Sequence, residues 1–109
     1  RENEELIKET IDNNKLLMGI VVDISGGGIR FVSKGKLEAN SMILLKLDIT
    51  LENNKSVYGV LGHVLSSYRL TNNDGMYEQR IEYTDIQNNC RETIIRYIFE
   101  QERRMRQKS

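Results

Sequence analysis

The chain has 109 residues, room for one modest core and none for a second catalytic domain, and its 16 Lys plus Arg balance 16 Asp plus Glu. A formal charge of zero argues against a general nucleic-acid binder, which carries a basic excess. One cysteine excludes an intrachain disulfide, one cysteine with one histidine is too few for a structural zinc site, and no apolar run approaches a membrane span or a signal peptide. We therefore expect no bound metal and a cytoplasmic setting. The chain opens Arg1-Glu2-Asn3 without an initiator methionine, so an excerpt or processed product of a longer parent, with an adjacent domain, is expected.

Residues 1–15 are acidic and polar, with Leu6, Ile7 and Ile11 at helix-like spacing and little else to bury; they read as a loop or short helix ahead of a domain spanning residues 16–109. Leu16 to Ile24 carries a β-branched run that suits a buried strand, ending at the cluster Asp23 to Gly28, and a second strand, Ile29 to Ser33, leaves at once. Met42 to Leu51 alternates Ile43, Leu45, Leu47, Ile49 and Leu51 against Leu44, Lys46, Asp48 and Thr50, one set for a core and one for water. The turn Glu52-Asn53-Asn54-Lys55 follows. Val57 to Ser66 and Met76 to Thr84 read as further strands about a polar loop at Thr71-Asn72-Asn73-Asp74-Gly75. Five strands on short turns suggest a small antiparallel barrel, since closure hides sheet edges.

From Asn89 to about Gln107 the period changes. Ile94, Ile95, Ile98, Phe99 and Met105 fall on one helical face, with Arg96, Glu100, Arg103 and Arg104 largely opposite, so the chain ends in an amphipathic helix. Asn89 with Glu92 three residues on resembles a capping box, and the arginines gather where the helix dipole favours cations.

The densest chemical signal is Asp23-Ile24-Ser25-Gly26-Gly27-Gly28, between two apolar strands and followed by Ile29-Arg30-Phe31. A carboxylate such as Asp23 can accept from the N1 and N2 donors of guanine, the Ser25 hydroxyl can donate to a phosphate or ring nitrogen, and consecutive glycines let backbone N–H groups approach an anion. Arg30 adds charge to a phosphate if its side chain points that way, which strand parity leaves open. The plainer alternative is a hairpin built from common turn residues.

Asp-x-Ser-x-x-Gly at a strand end, with Gly-Ile-Arg-Phe resuming the next strand, resembles the signature of PilZ domains, bacterial receptors for cyclic di-GMP. Tyr58-Gly59-Val60-Leu61-Gly62-His63-Val64 and the ending Ile94 to Arg103 are similar to later parts of the family, the latter to the terminal helix of flagellar-brake-type members. The resemblance runs from about Met18 to Arg106. It implies a PilZ-like β-barrel with a C-terminal helix, and a non-enzymatic receptor that binds cyclic di-GMP through Asp23, Ser25, Gly26, Gly27, Gly28 and Arg30. It further implies control of motility or exopolysaccharide output through ligand-dependent docking, with flagellar motor proteins among the expected partners. The chain departs from the family in containing no Arg-x-x-x-Arg, the motif whose guanidiniums clamp phosphate and stack on guanine. The alternative is a degenerate PilZ-type interaction domain that binds no nucleotide and docks through its terminal helix.

Other candidates carry less. Gly35-Lys36 lacks the remainder of a phosphate-binding loop, Ser25 lacks a nucleophile elbow, and no catalytic residue is expected. His63 sits in a strand pattern that suits a structural role, and Cys90 has no identified base partner. A homo-oligomer is expected if loss of a first strand leaves a sheet edge unpaired.

Overall fold

The computed structural model describes residues 6–11, 15–72 and 75–108. Among them six strands precede one helix: β1 (Leu6–Ile11), β2 (Lys15–Ile24), β3 (Gly28–Lys34), β4 (Met42–Leu51), β5 (Asn54–Arg69), β6 (Met76–Asp85) and α1 (Asn88–Lys108). The strands pair antiparallel and close in the order β1-β2-β3-β6-β5-β4, with β1 bonded to β2 on one side and to β4 on the other. The architecture is the mainly-β barrel with a terminal helix that the alternation of β4 and the period of α1 predict.

Leu6–Ile11 corrects the reading of residues 1–15 as loop or short helix. Adjacent Leu6 and Ile7 hide any two-residue alternation, and the segment becomes a strand because β2 and β4 offer ladders on both sides, a tertiary term that no local pattern carries. Residues 1–5 and 12–14 of that segment, and Asn73 and Asp74 of the predicted loop, lie outside the described residues. Closure through β1 also removes the unpaired edge on which the expectation of a homo-oligomer rested.

Inside, Ile43, Leu45, Leu47 and Ile49 of β4 meet Ile29 and Phe31 of β3, Val60 and Val64 of β5 and Ile81 of β6, all buried. Each large aliphatic or aromatic side chain so buried contributes about 1.5–3 kcal/mol relative to exposure. Two polar residues sit among them: buried Gln79 donates from Nε2 to Ser33 Oγ at 3.2 Å and to the Gly35 carbonyl at 2.9 Å. Gly35, at φ +85°, turns the chain where β3 ends.

The helix begins one residue before the predicted cap. The Gln87 carbonyl accepts the Arg91 N–H at 3.0 Å, Asn89 Oδ1 accepts the Cys90 N–H at 2.8 Å, and the hydroxyls of Tyr58 on β5 and Thr93 on α1 lie 2.8 Å apart, tying helix to barrel. Its inward stripe is Cys90, Ile94 and Tyr97, with Ile98 partly buried. The single apolar face predicted for α1 is therefore split: Ile95, Phe99 and Met105 are exposed, because a helix resting on a barrel buries a stripe narrower than the apolar arc the sequence offers. Arg103 and Arg104 both lean on Glu100, at 2.6 and 3.9 Å. No described helix is long and apolar enough to cross a membrane.

Candidate functional site

Strand β2 does not run into its turn regularly. Val21 pairs with Phe31 and Asp23 with Arg30, so Val22 is an extra residue, a bulge that resets the alternation. Without it Asp23 would take the inward parity; with it Asp23 stands outside, 67% exposed, and Ile24 packs against the core. Arg30 follows from the pleat of β3: Ile29 and Phe31 point inward, so the intervening guanidinium points out. That settles the direction which sequence parity leaves open. Arg30 Nη2 lies 3.6 Å from Asp23 Oδ2, and Nη1 donates to Glu78 Oε2 at 3.1 Å.

The turn between these strands is braced by its own serine. Ser25 Oγ donates to the Gly28 carbonyl at 3.2 Å and accepts the N–H groups of Gly27 and Gly28, each at 3.2 Å. The Ser25 N–H donates to the same Gly28 carbonyl at 2.9 Å, and the Gly27 carbonyl receives the Tyr83 N–H at 3.0 Å. Ser25 thus first holds the loop in shape, and two of the glycine amides expected to face an anion point into the turn instead. Gly28 is required on steric grounds, since a Cβ there would come 2.5 Å from the Ile81 carbonyl oxygen. Gly27 faces open space, and Gly26 rests near Arg91 and Ile95 of α1.

These pieces converge on one open groove of about 540 Å³, lined by Asp23, Ser25, Gly27, Gly28 and Arg30 together with Leu65, Arg80, Ile81 and Glu82. Five of the six predicted site residues line it; Gly26 does not. Leu65, Arg80 and Glu82 are residues that sequence reasoning missed. Arg80 arrives by register, directly opposite Arg30, and Leu65 is the extra residue of a second bulge, where Val64 pairs with Ile81 and Ser66 with Arg80. The formal charges along the groove cancel, Asp23 and Glu82 against Arg30 and Arg80.

A second hollow of about 300 Å³ lies between β2 and α1, with Val21, Val22, Ile24, Tyr97, Ile98 and Met105 in its walls, and Asp23 borders both. Burial pushes the Tyr83 phenol far above its ordinary range, with the neighbouring Cys90 adding to the rise, and burial likewise raises the Cys90 thiol. That suits a packed, unreactive cysteine. Among the described residues no group of His, Cys, Asp and Glu is placed to hold a metal ion.

The PilZ domain family matches residues 5–100, a span that includes the groove, both bulges and most of α1. The chain belongs to the PilZ family. Two solved structures share the fold of this PilZ domain. One is the Bacillus subtilis inhibitor of motility MotI/DgrA, 13% identical with a TM-score of 0.77, the likeness covering 91% of this chain. The chain spans about half, 47%, of that protein's length. The other is the PilZ domain of YcgR from Escherichia coli, solved with c-di-GMP, 14% identical with a TM-score of 0.72, covering 96% of this chain and 86% of the other. No curated protein matches the sequence.

Proposed function

We propose that this PilZ domain is a cyclic di-GMP receptor module, binding its ligand in the groove along the β2–β3 turn and signalling through a change in how a neighbouring domain docks. The observation that carries the reading is the meeting of Asp23, Ser25, Gly28 and Arg30 on one groove wall, with a bulge spent on turning Asp23 outward. Outward and exposed, the Asp23 carboxylate can take the N1 and N2 donors of guanine, while Arg30 faces the phosphates. Ser25 holds the turn, and Gly28 keeps β3 close to β6. Family membership and the presence of c-di-GMP with the similar YcgR domain support the ligand. Likeness to the Bacillus subtilis inhibitor of motility supports a role in motility; flagellar motor proteins as partners and a cytoplasmic location are part of the same proposal. Exopolysaccharide control is the other output this reading allows. The module acts by binding rather than by catalysis.

A specific observation favours a second reading, a degenerate interaction domain without nucleotide: the groove charges cancel, the 109 residues hold no Arg-x-x-x-Arg, and Ile95, Phe99 and Met105 stand exposed on α1. Isothermal titration of cyclic di-GMP into the chain, with GMP as control, separates the two. Saturable binding selective over GMP, lost in Asp23→Ala, is expected of the receptor. No binding, with Arg-x-x-x-Arg also lacking in the parent protein, would leave the interaction domain standing.

A further inference from the structure

We propose that Arg80 is a phosphate-binding residue of this groove and forms, with Arg30 on the opposite strand, a two-arginine anion clamp. For the identity of the ligand the clamp rests on the receptor reading; for its chemistry it stands on the barrel's own register. Arg30 and Arg80 are direct cross-strand partners on the outer faces of β3 and β6, and like charges so placed repel. The two are not equivalent. Arg30 is one-third exposed and held by carboxylates from two strands, Asp23 and Glu78. Arg80 is exposed and has neither ion pair nor hydrogen bond among the described residues.

An anion seated between the two guanidiniums removes their repulsion and gives Arg80 a partner, and a phosphate suits the planar fork of donors that each presents. The surroundings leave room for it. Gly28, beside Arg30, contributes no side chain, and the Leu65 bulge sets an apolar wall, 46% exposed, next to Arg80 on which a purine face can lie. Once Asp23 is engaged with a base, Arg30 keeps Glu78 as its remaining protein carboxylate, and Arg80 supplies the unshared positive charge. The clamp is thus built from residues 50 positions apart, 30 and 80, and needs no contribution from a segment ahead of β1.

The test follows the arginine Nε–H signals by NMR in the 109-residue chain, titrated separately with inorganic pyrophosphate and with cyclic di-GMP, for the wild type, Arg80→Ala and Arg80→Lys. The Arg80 and Arg30 signals are expected to shift with both ligands. Arg80→Ala is expected to weaken cyclic di-GMP roughly tenfold to a hundredfold, the range for losing charge-assisted hydrogen bonds. Arg80→Lys is expected to recover part of the loss, since it keeps the charge and forfeits the fork. Because Arg80 is exposed and its charge repels Arg30, neither variant should melt below the wild type, which separates lost binding from lost fold. Wild-type binding of cyclic di-GMP that Arg80→Ala leaves unchanged overturns the clamp and spares the receptor reading. Arg80 shifts with pyrophosphate but no binding of cyclic di-GMP overturns the receptor reading and spares the clamp. No shift at Arg80 with either ligand overturns the clamp, and if cyclic di-GMP also leaves every other signal of the chain unmoved the receptor reading falls with it.

Discussion

Asp23 faces Arg30 across β2 and β3 because Val22 is looped out of the ladder beside them. The ion pair is open, 3.6 Å with Asp23 67% exposed, so its contribution to stability is small. Asp23→Ala is accordingly predicted to change unfolding free energy by less than about 0.5 kcal/mol while removing guanine selectivity. Denaturant titration and ligand calorimetry on the same sample check this; a large loss of stability would show that Asp23 serves the fold first.

Glu82 lies on the groove with its charge against any phosphate. Glu82→Gln converts a formally neutral lining into one with a net positive charge, and tighter binding of a dianionic ligand is predicted, by about threefold at low ionic strength. The gain should fade in concentrated salt, where exposed charges are screened. Equal affinities of the two proteins at low salt would place the phosphates elsewhere.

Two neighbouring glycines should respond unequally to the same substitution. Gly28→Ala drives a Cβ to 2.5 Å from the Ile81 carbonyl oxygen, a backbone atom that cannot swing away, and a loss of about 1–3 kcal/mol is predicted. Gly27→Ala meets nothing within 4 Å and should be near neutral. Chemical denaturation of the pair, with the wild type alongside, is the measurement; equal losses would mean that the turn and not the β3–β6 approach limits this position.

Tyr83 and Cys90 predict a loss of stability in alkali. Both have folded-state pKa values raised by burial, so each favours the neutral form more in the native than in the unfolded chain. Their contribution is complete below the unfolded-chain values, about 8.5 for Cys and about 10 for Tyr, and is lost as pH rises above these toward the folded values. Melting temperatures between pH 7 and 11 should fall in that order, and Cys90→Ala should flatten the first part of the decline. The Tyr83 hydroxyl is also buried without a hydrogen-bond partner among the described residues, so Tyr83→Phe is predicted to be neutral or to stabilise by up to about 1 kcal/mol.

The fold was legible where two-residue alternation or a 3.6-residue period ran unbroken. Ile43, Leu45, Leu47 and Ile49 are buried as the pattern of β4 demands. Strand β1 was illegible because its adjacent Leu6 and Ile7 show no alternation and its identity is conferred by partners on both sides. In α1 the apolar residues told the period, but not that Cys90 and Tyr97 would take the inward stripe from Ile95 and Phe99. At the site, Asp23, Ser25 and Gly28 stand in one short motif and could be read together. Arg80 and Leu65 could not, since a register between strands 50 positions apart and a bulge on β5 bring them to the groove.

Ile7 pairs at once with Gly19, twelve positions on, and with Leu47, forty positions on. Strand β1 therefore meets one partner close by in sequence and the other only across forty positions. Hairpins such as β4–β5 close locally, whereas the β1–β4 and β3–β6 seams bear the entropy of long loops and are expected to shut last, together, as the rate-limiting step of folding. Pulsed hydrogen exchange during refolding should show early protection across β4–β5 and late protection along both seams. Protection of the β1 amides as early as those of the β4–β5 hairpin would contradict that order.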